Sequence, residues 1–351
     1  MDRRKRRRLL SALQSGILED IRSISNTAIA SFTGDGRDLV RLVVGIEPVQ
    51  AGSGDPSPDN VRPISGWAEC KVTRTGKNLL DPSARTTSAQ NIRYYQNDNL
   101  LLKAGTYTLS ISSQVSGLYV NSGASTLFEK YNSTFLAFTL TEDTPVHFDF
   151  YKSGIDTSSL CQLEVGSTAS SYEPYQGQTY TIDLDGTRYG GTLDVTTGKL
   201  MVDRAMVDMG TLNWSSWEQG GSLIFNSHIS AKMPVRDVPC ISSQYAYNPA
   251  IVSSWSDLLN GQMTGQAGGD VVYVRDTRYS SNADFKTGVS GVQLVYPLAT
   301  PIEVDLDPVT IETLLGTNNI FADCGDTTVD YYADTTLFVN KKIAAAVAAL
   351  S

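Results

Sequence analysis

The chain has 351 residues, which is the length of two or three domains that each bury a core of their own. Its 17 tyrosines and 29 glycines favour β-structure with many tight turns. The net charge of −9 is uneven, because residues 1–8 carry a local charge of +5 and leave −14 for the remainder. An acidic body argues against nucleic acid as a partner of the main domains, since such a partner needs a basic face.

Residues 1–36 are predicted to form an N-terminal helical attachment segment. A basic run is followed by apolar residues three or four positions apart, close to one stripe of an amphipathic helix. Such a stripe has to be buried on the body of the protein, in an oligomer or on a neighbouring protein. We interpret the basic run as solvated or partner-docking charge in preference to a phosphate-binding site. The predicted assembly residues here are Arg3, Arg4, Lys5, Arg6, Arg7, Arg8, Leu13, Ile17, Ile21 and Ile24.

The residues that follow this segment predict a β-rich domain. An apolar run at residues 39–46 is typical of a strand, and three prolines then fix an irregular, extended path at residues 55–63. Much further along the chain, alternating residues on both sides of Thr196-Thr197-Gly198 predict a hairpin. We therefore predict a discontinuous scaffold that consists of residues 37–76 and residues 177–340.

Two short helices are predicted within this scaffold. The first covers residues 282–289, although Gly288 weakens its pattern. The second begins with Asp307 as N-cap and Pro308 at the first helical position, and Gly316 ends it.

The segment between the two scaffold parts, residues 77–176, has the short alternating runs and regular turn spacing of a β-sandwich. It opens with Asn78-Leu79-Leu80-Asp81-Pro82 and closes with residues 162–169 and Tyr172-Glu173-Pro174-Tyr175. These phrases resemble the carbohydrate-binding, jelly-roll-like modules of bacteriophage tail and baseplate proteins. The resemblance implies a mainly β fold, in which a jelly-roll sandwich is inserted in a second β-rich domain. The ends of the insert should then lie close together.

The scaffold has resemblances of its own. Its proline-rich loop and its Tyr-Gly-Gly-Thr-Leu-Asp-Val-Thr-Thr-Gly hairpin are similar to paired segments of phage minor structural and tail-fibre proteins. Together the resemblances cover about residues 45 to 342. They imply a virion protein that is assembled in the bacterial host cytoplasm and has other phage virion proteins as partners.

The chain closes with a short, alanine-rich stretch at residues 341–351, which predicts a C-terminal helix. Ile343, Val347 and Leu350 lie on one side of it and are predicted assembly residues. A helix of about ten residues is not stable alone in water, so it needs a partner surface. Two terminal helices that need partners, together with the phage resemblance, predict a homo-oligomer, and we favour a trimer.

Candidate glycan contacts lie in the predicted insert. Sugar recognition needs exposed aromatic faces, with amides and charged groups for the hydroxyls. Tyr94 and Tyr95 are adjacent, so an extended chain would turn at most one of them into the core, while Tyr119 and Tyr131 have neighbours typical of loops. The predicted glycan-binding residues are Tyr94, Tyr95, Tyr119, Tyr131, Arg93, Asn97 and Asn121.

No catalytic residue is predicted. The chain has two histidines, of which His147 should be a surface or hydrogen-bonded strand residue, and no nucleophile motif accompanies them. No cofactor is predicted except a structural calcium ion, for which the resemblance suggests Asp81 or Glu164. The four cysteines lack metal-site or disulfide-framework spacing and are expected to be reduced. No apolar run of about 18 residues predicts membrane insertion.

The predicted function is that of a bacteriophage virion structural protein in a fibre, baseplate or head appendage. Its inserted jelly roll would mediate adhesion to host-surface glycans by binding without turnover. One alternative is a purely structural head, neck or tail component that binds no sugar. The other is a polysaccharide-degrading tail enzyme, which would need two carboxyl groups about 5 to 10 Å apart in a groove.

Overall fold

The computed structural model describes residues 21–96, 100–229, 239–249, 255–265 and 269–332. This part of the chain is mainly β, as predicted, and holds several sheets and one α-helix. No helix in it is long and apolar enough to cross a membrane.

The strands of the first half are β1 (Ile21–Thr27), β2 (Ala30–Asp35), β3 (Arg41–Ile46), β4 (Val49–Gln50), β5 (Ile64–Ser65), β6 (Trp67–Thr75), β7 (Arg85–Thr87), β8 (Asn91–Tyr94), β9 (Leu100–Leu102), β10 (Gly105–Ser122), β11 (Ser125–Leu140), β12 (Thr144–Tyr151) and β13 (Cys161–Val165). The later elements are β14 (Gln178–Arg188), β15 (Gly191–Asp194), β16 (Lys199–Asp208), β17 (Ser215–Gln219), β18 (Ser222–His228), β19 (Ile241–Ser242), β20 (Ala246–Tyr247), β21 (Gln262–Gly265), β22 (Val271–Arg275), helix α1 (Asn282–Gly288), β23 (Gln293–Asp305), β24 (Leu315–Ala322) and β25 (Thr327–Tyr332).

The chain divides into two compact units. The first comprises Met1–Val44, Lys71–Ile182 and Val309–Ser351, and the second comprises Gly45–Cys70 and Asp183–Pro308. The predicted insert therefore falls within the first unit, whereas parts of the predicted scaffold fall in both.

The largest sheet of the first unit has the strand order β11-β10-β12-β8-β7, with β13 also paired to β10 and β9 to β12. Strands β10 and β11 form a long antiparallel hairpin, and β10 pairs with β13 near its start and with β12 near its end. A register shift between Ser110 and Val115 separates the two regions. The buried side chains of this sheet form one core, whose members all lie between Leu79 and Leu163.

The two ends of the predicted insert lie side by side. The Gly76 backbone N–H donates to the Gln176 carbonyl oxygen at 3.0 Å, and the hydroxyls of Thr73 and Thr179 are 3.0 Å apart. This closeness is what an inserted segment requires.

The predicted N-terminal helix is wrong in its last part. Ile21 and Ile24 lie in strand β1, opposite Tyr332 and Val329 of β25, and β2 pairs with β24. Threonine and isoleucine are β-branched and favour an extended chain when a strand is available to pair with. The partner strand here comes from about 300 residues away in the sequence. Residues 1–20 and the predicted C-terminal helix lie outside the described residues.

The helix predicted after Asp307 is also wrong. The chain pairs there with residues 37–39 and forms no helix. Leu39 N–H donates to the Ile311 carbonyl, and Thr313 N–H donates to the Arg37 carbonyl, both at 3.0 Å. All three residues from 309 to 311 are β-branched, and this lowers their preference for a helix relative to the extended pairing.

In the second unit, β16 lies between β15 and β23, and β19 pairs with β23. A five-stranded sheet, in the order β17-β18-β22-β21-β20, completes the unit. Helix α1 confirms the predicted helix at residues 282–289: Ser281 caps it by accepting from Asp284 N–H, and the buried Phe285 stacks on Phe225 with ring centroids 4.0 Å apart. The predicted hairpin is present between β15 and β16, but residues 195–198 form its turn, one residue more than the predicted Thr196-Thr197-Gly198.

The cysteines differ from the expectation. Cys70 and Cys324 are disulfide-bonded, whereas Cys161 and Cys240 are buried thiols outside any disulfide. Burial raises the pKa of these two thiols to about 12, so neither is a ready nucleophile.

Candidate functional site

The sheet β11-β10-β12-β8-β7 has one face on the core and one face away from it. Successive side chains of a strand alternate between faces, and Leu118, Val120, Phe148 and Phe150 fill the core. The residues that alternate with them along the strands, together with the cross-strand partners of those residues, therefore share the other side, which we call the outer face. The outer face consists of Asn91, Arg93, Gly117, Tyr119, Asn121, Glu129, Tyr131, His147, Asp149 and Tyr151.

Three tyrosines give the outer face its aromatic surface. Tyr131 is 56% exposed and meets Tyr119 edge to face, with ring centroids 6.0 Å apart. Tyr151, on β12, is also exposed. The Tyr131 hydroxyl donates to Glu129 Oε2 at 2.8 Å, and this hydrogen bond is the main reason why the pKa of Tyr131 rises to about 12. Tyr131 is therefore a neutral, oriented ring with an accessible face.

Gly117 provides the space in which the Tyr119 ring lies. A Cβ added to Gly117 would stand 2.5 Å from the Cε2 and hydroxyl oxygen of Tyr119, which is closer than carbon atoms can approach. Gly117 also lies opposite both Tyr131 and Tyr151 in the sheet. The absence of a side chain thus allows Tyr119 to lie flat along the strand between the other two tyrosines.

We predict that Gly117→Ala displaces the Tyr119 ring and weakens ligand binding on the outer face without unfolding the protein. The new methyl group forces the ring into another rotamer, while the core side of β10 is unchanged. The measurement is the near-ultraviolet circular dichroism of the tyrosines together with binding. Gly123→Ala is the control. Nothing lies within 4 Å of its Cβ position, so the added methyl group displaces no ring and strains only the backbone, whose φ is positive there. Unchanged tyrosine signals in Gly117→Ala would contradict the prediction.

Asp149 is the centre of a polar cluster beside these tyrosines. It is buried, and its Oδ1 accepts from Asn91 Nδ2 at 2.8 Å and from Arg93 Nε at 2.5 Å. Its Oδ2 accepts from Arg93 Nη2 at 3.0 Å and from Asn121 Nδ2 at 3.1 Å, and lies 3.7 Å from His147 Nε2. The hydrogen bonds that Arg93 donates to Asp149 raise the pKa of Arg93.

This cluster fixes the polar atoms that remain for a ligand. Arg93 reaches Asp149 through Nε and one terminal nitrogen, and its other terminal nitrogen donates to no acceptor among the described residues. The Asn91 Oδ1 has no hydrogen-bond partner among the described residues either, but it is buried and out of reach of a ligand. A guanidinium donor held rigidly beside aromatic rings is a group that can orient a sugar.

The structure brings together four of the predicted glycan contacts, namely Tyr119, Tyr131, Arg93 and Asn121. Tyr119 and Tyr131 lie in paired strands, so their expected loop positions are wrong. Asn97 lies outside the described residues. The predicted set missed Glu129, Asp149 and Tyr151, although the alternation in Val146-His147-Phe148-Asp149-Phe150 places His147 and Asp149 on the side away from the core.

Tyr94 and Tyr95 do not belong to this surface. Both are buried in the core, contrary to the expectation that at most one would be. Tyr95 has a φ of 59°, which breaks the alternation and turns its ring inwards. Its hydroxyl accepts from Asp81 N–H at 2.9 Å and donates to the Leu79 carbonyl at 3.2 Å. Neither ring offers a face to a ligand, so we exclude both from the candidate site.

The two residues suggested for calcium are engaged by the protein. Asp81 Oδ1 accepts from Ser83 N–H at 2.8 Å and caps a short 3₁₀ turn. Glu164 is buried, and its carboxylate accepts from Gln162 Nε2 at 2.9 Å and from both the N–H and the hydroxyl of Ser170. These contacts give both carboxylates a structural role, and calcium binding stays a prediction.

Comparisons with known proteins assign no family. No protein-family model matches the chain, and no curated protein matches it significantly.

Proposed function

We propose that this protein is a bacteriophage virion protein of a fibre, baseplate or head appendage that binds host-surface glycans through its outer face. The observation that carries the proposal is the combination of exposed Tyr131 and Tyr151 with the rigid Arg93–Asp149 cluster on one face of a sheet. The sequence resemblance to jelly-roll modules of phage tail proteins supports the same conclusion.

The chemistry of the outer face favours binding without turnover. The Asp149 carboxylate accepts four hydrogen bonds, so its lone pairs are committed to holding the cluster. Glu129 is engaged by the Tyr131 hydroxyl. A general acid or a nucleophile needs a carboxylate that is available to the substrate. We therefore rank the polysaccharide-degrading enzyme below the adhesin.

Adhesion by such a surface depends on many copies. Each outer face would make a few stacking and hydrogen-bond contacts, and a homo-oligomer, for which we favour a trimer, would multiply them. A purely structural virion component remains the second candidate, because exposed aromatic rings also suit contacts with neighbouring virion proteins.

We predict that Tyr131→Ala weakens glycan binding about tenfold and leaves the melting temperature nearly unchanged, since the ring is exposed and its contacts with Tyr119 and Glu129 lie at the surface. The measurement is retention of the full chain on a panel of immobilised bacterial surface polysaccharides. Tyr172→Ala is the matched control, because Tyr172 is exposed in the same unit but lies off the outer face. Equal retention of both variants and the wild type, or no retention of any of them, would refute glycan binding by this face.

A further inference from the structure

The second unit also has a sheet with two contrasting faces. In the sheet β17-β18-β22-β21-β20, Phe225, Met263, Val272 and Val274 point to the main core of that unit. Trp217 is paired with Ile224, and Asn226 with Tyr273, so these four side chains share the opposite face. That face carries aromatic residues where a solvated sheet would carry polar ones.

Three rings on this face form a compact group, which we call the tryptophan cluster: Trp217, Trp255 and Tyr273. The Trp217 and Trp255 centroids are 5.1 Å apart, and Trp255 and Tyr273 are 4.6 Å apart. The rings cover the buried Ile224 and Leu258 but are themselves only partly buried. Packing therefore accounts for one side of the cluster and leaves ring surface in contact with solvent.

The four tryptophans fall into two classes according to whether the indole N–H has an acceptor in the protein. Trp67 donates its indole N–H to the Glu47 carbonyl at 2.7 Å, and Trp214 donates to the Met209 carbonyl at 2.8 Å. Trp217 and Trp255 have no acceptor among the described residues. Both unbonded indole donors thus belong to the tryptophan cluster, and neither nitrogen is among the fully buried atoms that lack a partner, so a ligand oxygen can accept from them.

The surroundings of the cluster are polar and rigid. The Arg275 guanidinium donates to Ser222 Oγ at 2.8 Å and to the Leu258 and Gln219 carbonyls at 3.1 and 3.0 Å. Asn226 Nδ2 donates to the Ser215 carbonyl at 3.1 Å, which holds its amide beside Tyr273 on the same face. A protein interface of ordinary size buries about 800 Å² on each partner around an apolar centre. The apolar surface of three rings with polar neighbours is much smaller, so it suits a small ligand better than a protein partner.

We propose that the tryptophan cluster is a saccharide-binding site, separate from the outer face of the first unit. The C–H faces of a sugar ring would stack on the exposed ring surface, and the indole N–H groups of Trp217 and Trp255 would donate to its hydroxyls. The site needs no charged group from the ligand, so neutral sugars are the expected class. This inference does not depend on glycan binding by the outer face.

Tryptophan fluorescence tests the proposal in the full chain. Short soluble oligosaccharides of glucose, galactose or N-acetylglucosamine are titrated, and at least one is expected to cause a saturable change in emission. Trp255→Ala is expected to weaken that binding about tenfold, because it removes one stacking ring and one indole donor. The fold should be kept, since the residue lies on a short 3₁₀ turn outside the sheet. Trp217→Phe keeps the ring packing on Ile224 but loses the indole donor, and is expected to weaken binding as well.

Two controls make the outcome decisive. Trp67→Phe alters a tryptophan of the same unit whose N–H is already bonded, and it should bind like the wild type. Tyr131→Ala should also leave this binding unchanged, which separates the cluster from the outer face. Emission that no oligosaccharide changes overturns the proposal, and so does wild-type affinity in both Trp255→Ala and Trp217→Phe. Loss of binding in Tyr131→Ala alone assigns the sugar to the outer face and overturns it too.

Discussion

Asp149→Ala is expected to lower the free energy of unfolding by about 3 kcal/mol. The substitution leaves the Arg93 guanidinium without its carboxylate, and the Asn91 and Asn121 amides lose their acceptor in a partly buried site. Donors that were solvated in the unfolded chain would then be buried without partners. Urea unfolding of the full chain, followed by far-ultraviolet circular dichroism, measures the difference in midpoint and slope.

The control for this variant is Asp305→Ala. Asp305 is also bonded to a basic residue, Lys199, but its side chain is 77% exposed, so water replaces the lost contact and no measurable change is expected. Asp149→Asn should fall between the wild type and Asp149→Ala, because the amide keeps one acceptor oxygen. Similar midpoints for Asp149→Ala and Asp305→Ala would show that the polar cluster does not hold these strands together.

A chain of residues 77–176 alone is expected to fold cooperatively. The core of its main sheet uses side chains between Leu79 and Leu163, and its ends are adjacent in the intact protein. Ile29, from outside the segment, packs only at the margin of that core. About one hundred residues is an ordinary size for an independent domain. Thermal and urea unfolding of this segment should each show one sharp transition. Its nuclear magnetic resonance spectrum should show dispersed amide signals.

Phe150→Ala tests whether that transition reports the native core. Phe150 is fully buried and meets Tyr94 edge to face, so its truncation should cost about 3–5 kcal/mol, enough to unfold much of an isolated segment of marginal stability. Tyr131→Ala in the same segment should leave the transition in place. A segment that shows no transition, or one that Phe150→Ala does not shift, would contradict the predicted inserted domain.

Strands and turns with local signals were predictable from the sequence. The apolar run of β3, the glycine-ended hairpin between β15 and β16, and α1 with Ser281 before it each carry their signal within about ten residues. Where partner strands decided the structure, local patterns misled. Residues 21–28 have apolar spacing that suits a helix, but β25 pairs with them. The same applies after Asp307, where residues 37–39 supply the partners.

The candidate site shows the same division. Alternation along β12 predicted that His147 points away from the core, and the tyrosines and amides of the segment suggested sugar contacts. Which of them meet depends on register, since only the pairing of β10 with β11 and β12 brings Tyr119 beside Tyr131 and Asp149. The prediction for Tyr95 was wrong because nothing in the sequence indicates a positive φ at a residue other than glycine.

The pairing of β1 with β25 has a mechanical consequence. Ile21 lies opposite Tyr332 in an antiparallel ladder, so tension applied between these two residues acts along the hydrogen bonds of one rung at a time and not along the strands. The ladder would open like a zipper, one rung after another, at a force far below that needed to slide two strands past each other. Peeling β1 away would also bare the edge of β25, which still holds β3 on its other side and could take a replacement strand.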